Sequence, residues 1–143
     1  MNTEDLKQYI DKYCSLAEEY AKSSKFNLDY SDNSIVHVEI LLDRYSKSLH
    51  RRFFKKKLTE SQINALANIW GVYVGEVMRR KLGAQCEWAM EDVNNIGEVL
   101  HLLVGEARAF PITKVYKRLK NGPSDSIKSF YDIGLVKLLE SNW

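Results

Sequence analysis

Two prolines, two cysteines and seven glycines in 143 residues are too few for several classes of protein. Glycine and proline at this level exclude collagen-like and low-complexity chains. Cys14 and Cys86 can form at most one bridge, and their separation suits neither a disulfide scaffold nor a zinc knuckle. The histidines are as sparse: His37, His50 and His101 fall on three different expected faces, with no His-x3-His or Cys-x2-Cys pair, so no metal site is expected. No apolar run approaches 18 residues, so no membrane span is expected. The N-terminus Met1-Asn-Thr-Glu-Asp is acidic where a secretion signal is basic and then apolar, which makes the cytoplasm the expected location. No glycine cluster follows a strand-like segment. Gly71-Val-Tyr-Val-Gly75 lies within a helical pattern and lacks the Lys-Ser/Thr of a phosphate-binding loop, so no nucleotide cofactor is expected.

What is present describes a soluble globular chain: 45% hydrophobic residues and 28% charged. Its length suits one domain, 1–143, able to bury about two thirds of its unfolded surface around a single core.

Leu6, Tyr9, Ile10, Tyr13, Leu16, Ala17 and Tyr20 recur every three or four residues and predict a first helix from Thr3 to about Tyr20, with Thr3 available as its cap. The Asp32-Asn33-Ser34 cluster opens a second, whose stripe is Ile35, Val38, Leu42, Tyr45, Leu49 and Phe53; the same spacing leaves Glu39, Asp43, Lys47 and Arg51 toward solvent. Thr59-Glu-Ser-Gln62 has the form of a capping box and starts a third helix running to Leu82, about 36 Å long. In it Ala67, Gly71 and Gly75 form a row of small residues four apart. Two interior glycines cost about 1 kcal/mol each against alanine, so another element is expected to approach that row closely.

After Gly83 the period becomes two. Ala84, Cys86, Trp88 and Met90 alternate with Gln85, Glu87, Ala89 and Glu91, Asp92–Gly97 has hairpin-turn chemistry, and Glu98–Val104 is a second strand-like run. Ala107–Phe110 predicts a short third strand stopped by Pro111, which suits the first turn of a fourth helix striped by Ile112, Val115, Tyr116 and Leu119. Asn121-Gly-Pro123 ends it, and a last helix turns Ile127, Phe130, Tyr131, Leu135 and Leu138 inward. The expected fold is α+β: three N-terminal helices, a small antiparallel meander of two or three strands, and two C-terminal helices.

No catalytic set assembles from this pattern. Cys14 and Cys86 lie on inward faces and read as small buried hydrophobes. His101 falls mid-strand, where a satisfied imidazole is expected. Glu76, Arg79 and Arg80 are spaced three and four apart, which predicts an intrahelical ion pair. The sharper alternative is a cleft for a small molecule or a hydrolytic substrate, with Glu76, Arg79 and Trp88 around it at the junction of helix three and the meander.

Charge is uneven along the chain. Residues 1–50 carry 6 Lys/Arg and 9 Asp/Glu, whereas residues 51–143 carry 15 and 10. Arg51, Arg52, Lys55 and Lys56 crowd the end of helix two, and Lys114, Lys117 and Arg118 line one side of the Pro111 helix, giving a candidate basic surface. A total of +2 is small for a domain that binds nucleic acid chiefly through phosphates, so nucleic acid is not the expected partner, and a nucleic-acid accessory protein using the two basic clusters stands as the third reading, after the cleft.

The run Leu66-Ala-Asn-Ile-Trp-Gly-Val-Tyr-Val-Gly-Glu-Val-Met-Arg-Arg-Lys-Leu-Gly-Ala-Gln-Cys-Glu-Trp88, followed by Phe110-Pro-Ile-Thr-Lys-Val-Tyr-Lys-Arg-Leu119, resembles a widespread family of small bacterial α+β proteins. There a Gly-Glu-x-x-x-Arg/Lys helix leads into a Trp-bearing strand, a hairpin and a helix begun by proline. The resemblance covers the C-terminal half to two thirds and implies the α+β fold and no catalytic residue. In size and class the chain is also similar to immunity proteins that neutralise bacterial toxins. Sixteen aromatic residues exceed what the inward stripes need and could anchor an interface. The expectation is therefore a non-enzymatic bacterial protein that binds another protein, as a toxin-neutralising or accessory partner. An exposed meander edge could also pair with a second copy.

Overall fold

The computed structural model describes residues 1–50, 58–93, 95 and 97–140, apart from the His50 side chain. In chain order the elements are α1 (Thr3–Ser23), α2 (Asp32–His50), α3 (Glu60–Leu82), β1 (Glu87–Asp92), β2 (Glu98–Val104), β3 (Ala107–Ala109), α4 (Pro111–Asn121) and α5 (Ile127–Glu140). This is the α+β order read from the periodicities. The sheet is an antiparallel meander, β1-β2-β3, with Trp88 opposite Leu102 and Leu102 opposite Ala109.

α3 is the axis of the molecule, packed by α1, α4 and α5, and every residue from Ile69 to Met78 is buried. A helix enclosed by neighbours buries its whole circumference. Its start is the expected capping box, with the Thr59 hydroxyl accepting from the Gln62 amide at 3.1 Å and the Gln62 side chain accepting from the Thr59 amide at 2.8 Å. The small-residue row is filled from outside. A Cβ on Gly71 would lie 2.5 Å from Cα of Ile112, and one on Gly75 would overlap the Trp88 ring and come within 2.9 Å of Cγ of Pro111. The start of α4 and the β1 tryptophan thus sit directly on the helix backbone.

Two local expectations are corrected. Asn2, not Thr3, caps α1, its Oδ1 accepting from the Asp5 amide at 2.8 Å; the residue just outside the helix keeps the extended backbone a cap needs. Gly83–Gln85 is a 3-10 turn that leaves Ala84 exposed, so the strand begins only at Glu87, and within it Trp88, Ala89 and Met90 are all half-buried.

A second, smaller core of Ile10, Cys14, Val72 and Leu100 joins α1 and α3 to the sheet, with Trp88 and Met90 packed on it. Among the described residues no helix is long and apolar enough to cross a membrane.

Candidate functional site

Glu76, Arg79 and Trp88 do converge. With Leu6, Lys7, Ile10 and Asp11 of α1 they line a hollow of about 420 Å³ between α1, the end of α3 and the start of β1. The spacing of Glu76 and Arg79 on α3 and the placement of Trp88 over Gly75 bring them there. Glu76 is 5% exposed and its carboxylate is fully engaged. Oε1 accepts from Arg79 Nε at 2.6 Å and Trp88 Nε1 at 3.2 Å; Oε2 accepts from Arg79 Nη2 at 2.9 Å and Arg80 Nε at 3.0 Å. Burial alone would push this carboxyl up, but the hydrogen bonds from Arg79, Arg80 and Trp88 and the Arg79 charge outweigh it and hold it below its ordinary value. The Arg80 guanidinium carbon also lies over the Tyr30 ring, 3.6 Å from its centre.

A general base needs a free lone pair and a pKa near the working pH. Glu76 has neither, and its four bonds make it a clamp between α3 and β1. The thiols are equally quiet. Burial pushes Cys14 up to about 12 and Cys86 up to about 11, so both are protonated at neutral pH. His101 is buried, with Nδ1 against the Val99 carbonyl at 2.8 Å and Nε2 accepting from Arg108, a satisfied imidazole. No group of three or more His, Cys, Asp or Glu among the described residues could hold a metal ion.

The basic surface divides. Arg51, Arg52, Lys55 and Lys56 lie outside the described residues. Lys114 and Lys117 line a second hollow of about 450 Å³, bounded by β3, α4 and α5. Its floor is formed by Phe110, Phe130 and Leu138, with Ile133 at one side, and Arg108 and Lys137 complete its rim.

Arg118 corrects the expectation: it is 2% exposed and belongs to no surface. Its Nε donates to Glu39 Oε2 at 2.9 Å and its Nη2 to Asp43 Oδ1 at 2.8 Å. Glu39 and Asp43, expected toward solvent, are therefore covered by α4. The reason is rotational. Arg118 stands about 100° around the helix from Lys117 and only about 60° from the inward Val115, so the side of α4 that meets α2 takes it in. A buried guanidinium then requires carboxylates opposite.

The residues of the second hollow outside α4 were not legible as a site: Phe130, Ile133, Gly134, Lys137 and Leu138 share one side of α5 at helical spacing, but which elements face that side depends on contacts between distant parts of the chain. The signal available was α5 itself, whose apolar residues outnumber those one inward stripe can use. Ile133 and Val136 are each 54% exposed and Leu139 41%.

The site thus defines an α+β domain with a saturated carboxylate clamp on one side and a cation-rimmed apolar groove on the other. Neither the family models, nor the curated proteins, nor the solved structures contain a match to this chain.

Proposed function

We propose that this chain is a non-enzymatic protein that acts by binding another protein, with α5 as its contact helix. The observation that carries the reading is the outer side of α5, where Ile133, Val136 and Leu139 stand in water although a surface helix ordinarily turns its apolar residues to one side. A toxin-neutralising or accessory role is one form such binding takes. The engaged carboxylate of Glu76 and the protonated thiols support binding over catalysis.

The test is quantitative cross-linking in the native cell with the wild-type chain and with Ile133→Glu/Val136→Glu, two exposed positions whose change leaves the core untouched. A partner cross-linked to α5 and depleted at least tenfold in the variant is the expected result. Equal recovery in both, or substrate turnover by the purified chain that is lost in Glu76→Gln, overturns the reading.

A further inference from the structure

The groove between β3, α4 and α5 has a composition that states what it would accept. Among the described residues twelve line it; of these Arg108, Lys114, Lys117 and Lys137 are cationic and none is acidic. In a chain of 21 basic and 19 acidic residues, such a one-signed rim is a local arrangement and does not follow from composition. Two of the four cations are held in place from outside the groove, Lys114 by Asp125 at 2.8 Å and Arg108 by Glu91 at 2.8 Å. Lys117 and Lys137 are exposed and, among the described residues, stand outside the ion pairs, although the Asp125 carboxylate that holds Lys114 also lies within the field of Lys117. Lys137 stands in the last turn of α5, where the negative end of the helix dipole favours a cation before any ligand arrives.

Between these charges the floor is apolar. Its volume, about 450 Å³, lies toward the low end of the roughly 300–1,000 Å³ of ligand pockets. The apolar surface does not stop at the rim: Ile133 lines the groove and also begins the exposed row that continues through Val136 and Leu139. A small molecule would leave that row in water, whereas a stretch of polypeptide covers groove and row together. A nucleic-acid strand would satisfy the cations and leave aliphatic side chains against sugar and phosphate.

We propose that this groove seats an acidic segment of the protein partner, with aliphatic or aromatic anchors against Phe110, Phe130 and Leu138 and carboxylates on Lys117 and Lys137. The inference rests on the protein-binding reading above and adds the chemistry of the bound segment. Carboxylates meeting these ammonium groups make charge-assisted hydrogen bonds and set orientation, while the anchors supply the desolvated centre of the contact.

The experiment is selection of a random dodecapeptide display library on the intact chain, followed by fluorescence anisotropy and amide chemical-shift mapping with the enriched peptides. The expected peptides combine Asp or Glu with Leu, Phe or Trp and shift amides in 107–117 and 130–138. They bind Lys117→Glu/Lys137→Glu at least tenfold more weakly than wild type at an unchanged melting temperature. Peptides without acidic enrichment that shift only the Val136 and Leu139 side of α5 overturn the acidic-segment proposal and leave the protein-binding reading standing. If no peptide enriches, the proposal fails. If oligothymidylate alone produces the groove shifts, both readings fail.

Discussion

Arg118 and Glu39, 79 residues apart in the chain, meet at 2.9 Å between Nε and Oε2, and this pair ties three helices together. While one oxygen of Glu39 takes the guanidinium on α4, the other accepts from the Ser126 hydroxyl at 2.7 Å and the Ile127 amide at 3.0 Å, at the start of α5. A carboxylate at a helix N-terminus satisfies amides that have no partner within the helix and complements the dipole. One side chain of α2 therefore fixes both C-terminal helices, and with them the walls of the groove.

Removing either partner leaves the other's charge partly buried. Glu39→Ala should destabilise the fold by about 2–3 kcal/mol, near the lower end for a broken buried pair because Glu39 keeps some exposure. Glu39→Gln, which still offers an oxygen to the Ile127 amide, should cost less. Urea denaturation of both variants, closed as a double-mutant cycle with Arg118→Met, measures the coupling; a coupling indistinguishable from zero refutes the link.

Gly71 and Gly134 make a second comparison, since both are helical glycines. A Cβ at position 71 meets the Ile112 backbone, which cannot move without shifting α4, and overpacking of that kind costs about 1–3 kcal/mol or more. At position 134 it meets only the end of Met78 at 3.1 Å, a flexible terminus. Gly71→Ala should lower the melting temperature, and Gly134→Ala should leave it unchanged or raise it through helix propensity, worth up to about 1 kcal/mol. Thermal scans of the two variants decide, and equal effects count against the close approach of α4.

Stability should fall in acid, partly through Glu76. Its folded carboxyl is held below the ordinary 4.5, so around pH 4 the unfolded chain binds more protons than the native one. The contribution is present above about pH 4.5 and is lost as the pH falls through the folded value. The stability gap between wild type and Glu76→Gln, about 1–3 kcal/mol at pH 7 for charged hydrogen bonds, should shrink markedly at pH 3. A gap that is constant with pH would show that the carboxylate is not charged in the clamp.

Cys14 and Cys86 should resist modification while the chain is folded. Both are buried and their thiols are raised far above neutrality, so a maleimide should label them slowly in buffer and rapidly in 6 M guanidinium. Fast labelling of the native protein would mean that the main core around Cys86 or the smaller core around Cys14 opens readily.

The helices were legible because burial repeats every three or four residues, as in α1. The strands were legible from short apolar runs bounded by turn residues, since burial along β1 and β2 does not alternate: Trp88 to Met90 are all half-buried and Leu100 to Leu102 all buried. Thr59 to Gln62 and Asn121 to Pro123 marked boundaries for an equally local reason, since caps and stops act within a few residues. The Glu76 cluster was half legible. Its ion pair with Arg79 and Arg80 follows from helical spacing, whereas the bond to Trp88 required knowing that a strand tryptophan lies over Gly75.

By itself the sequence determined the kind and order of the elements, the inertness expected of its cysteines, and the need for something to pack on Gly71 and Gly75. Tertiary structure alone decided that Arg118 turns inward to Glu39 and Asp43 while Lys117, one residue before it, faces the groove. It also decided that β3, α4 and α5 contribute to one cation-rimmed hollow. Periodicity reports which side of an element avoids water, but which neighbour covers that side depends on contacts between residues far apart in the chain.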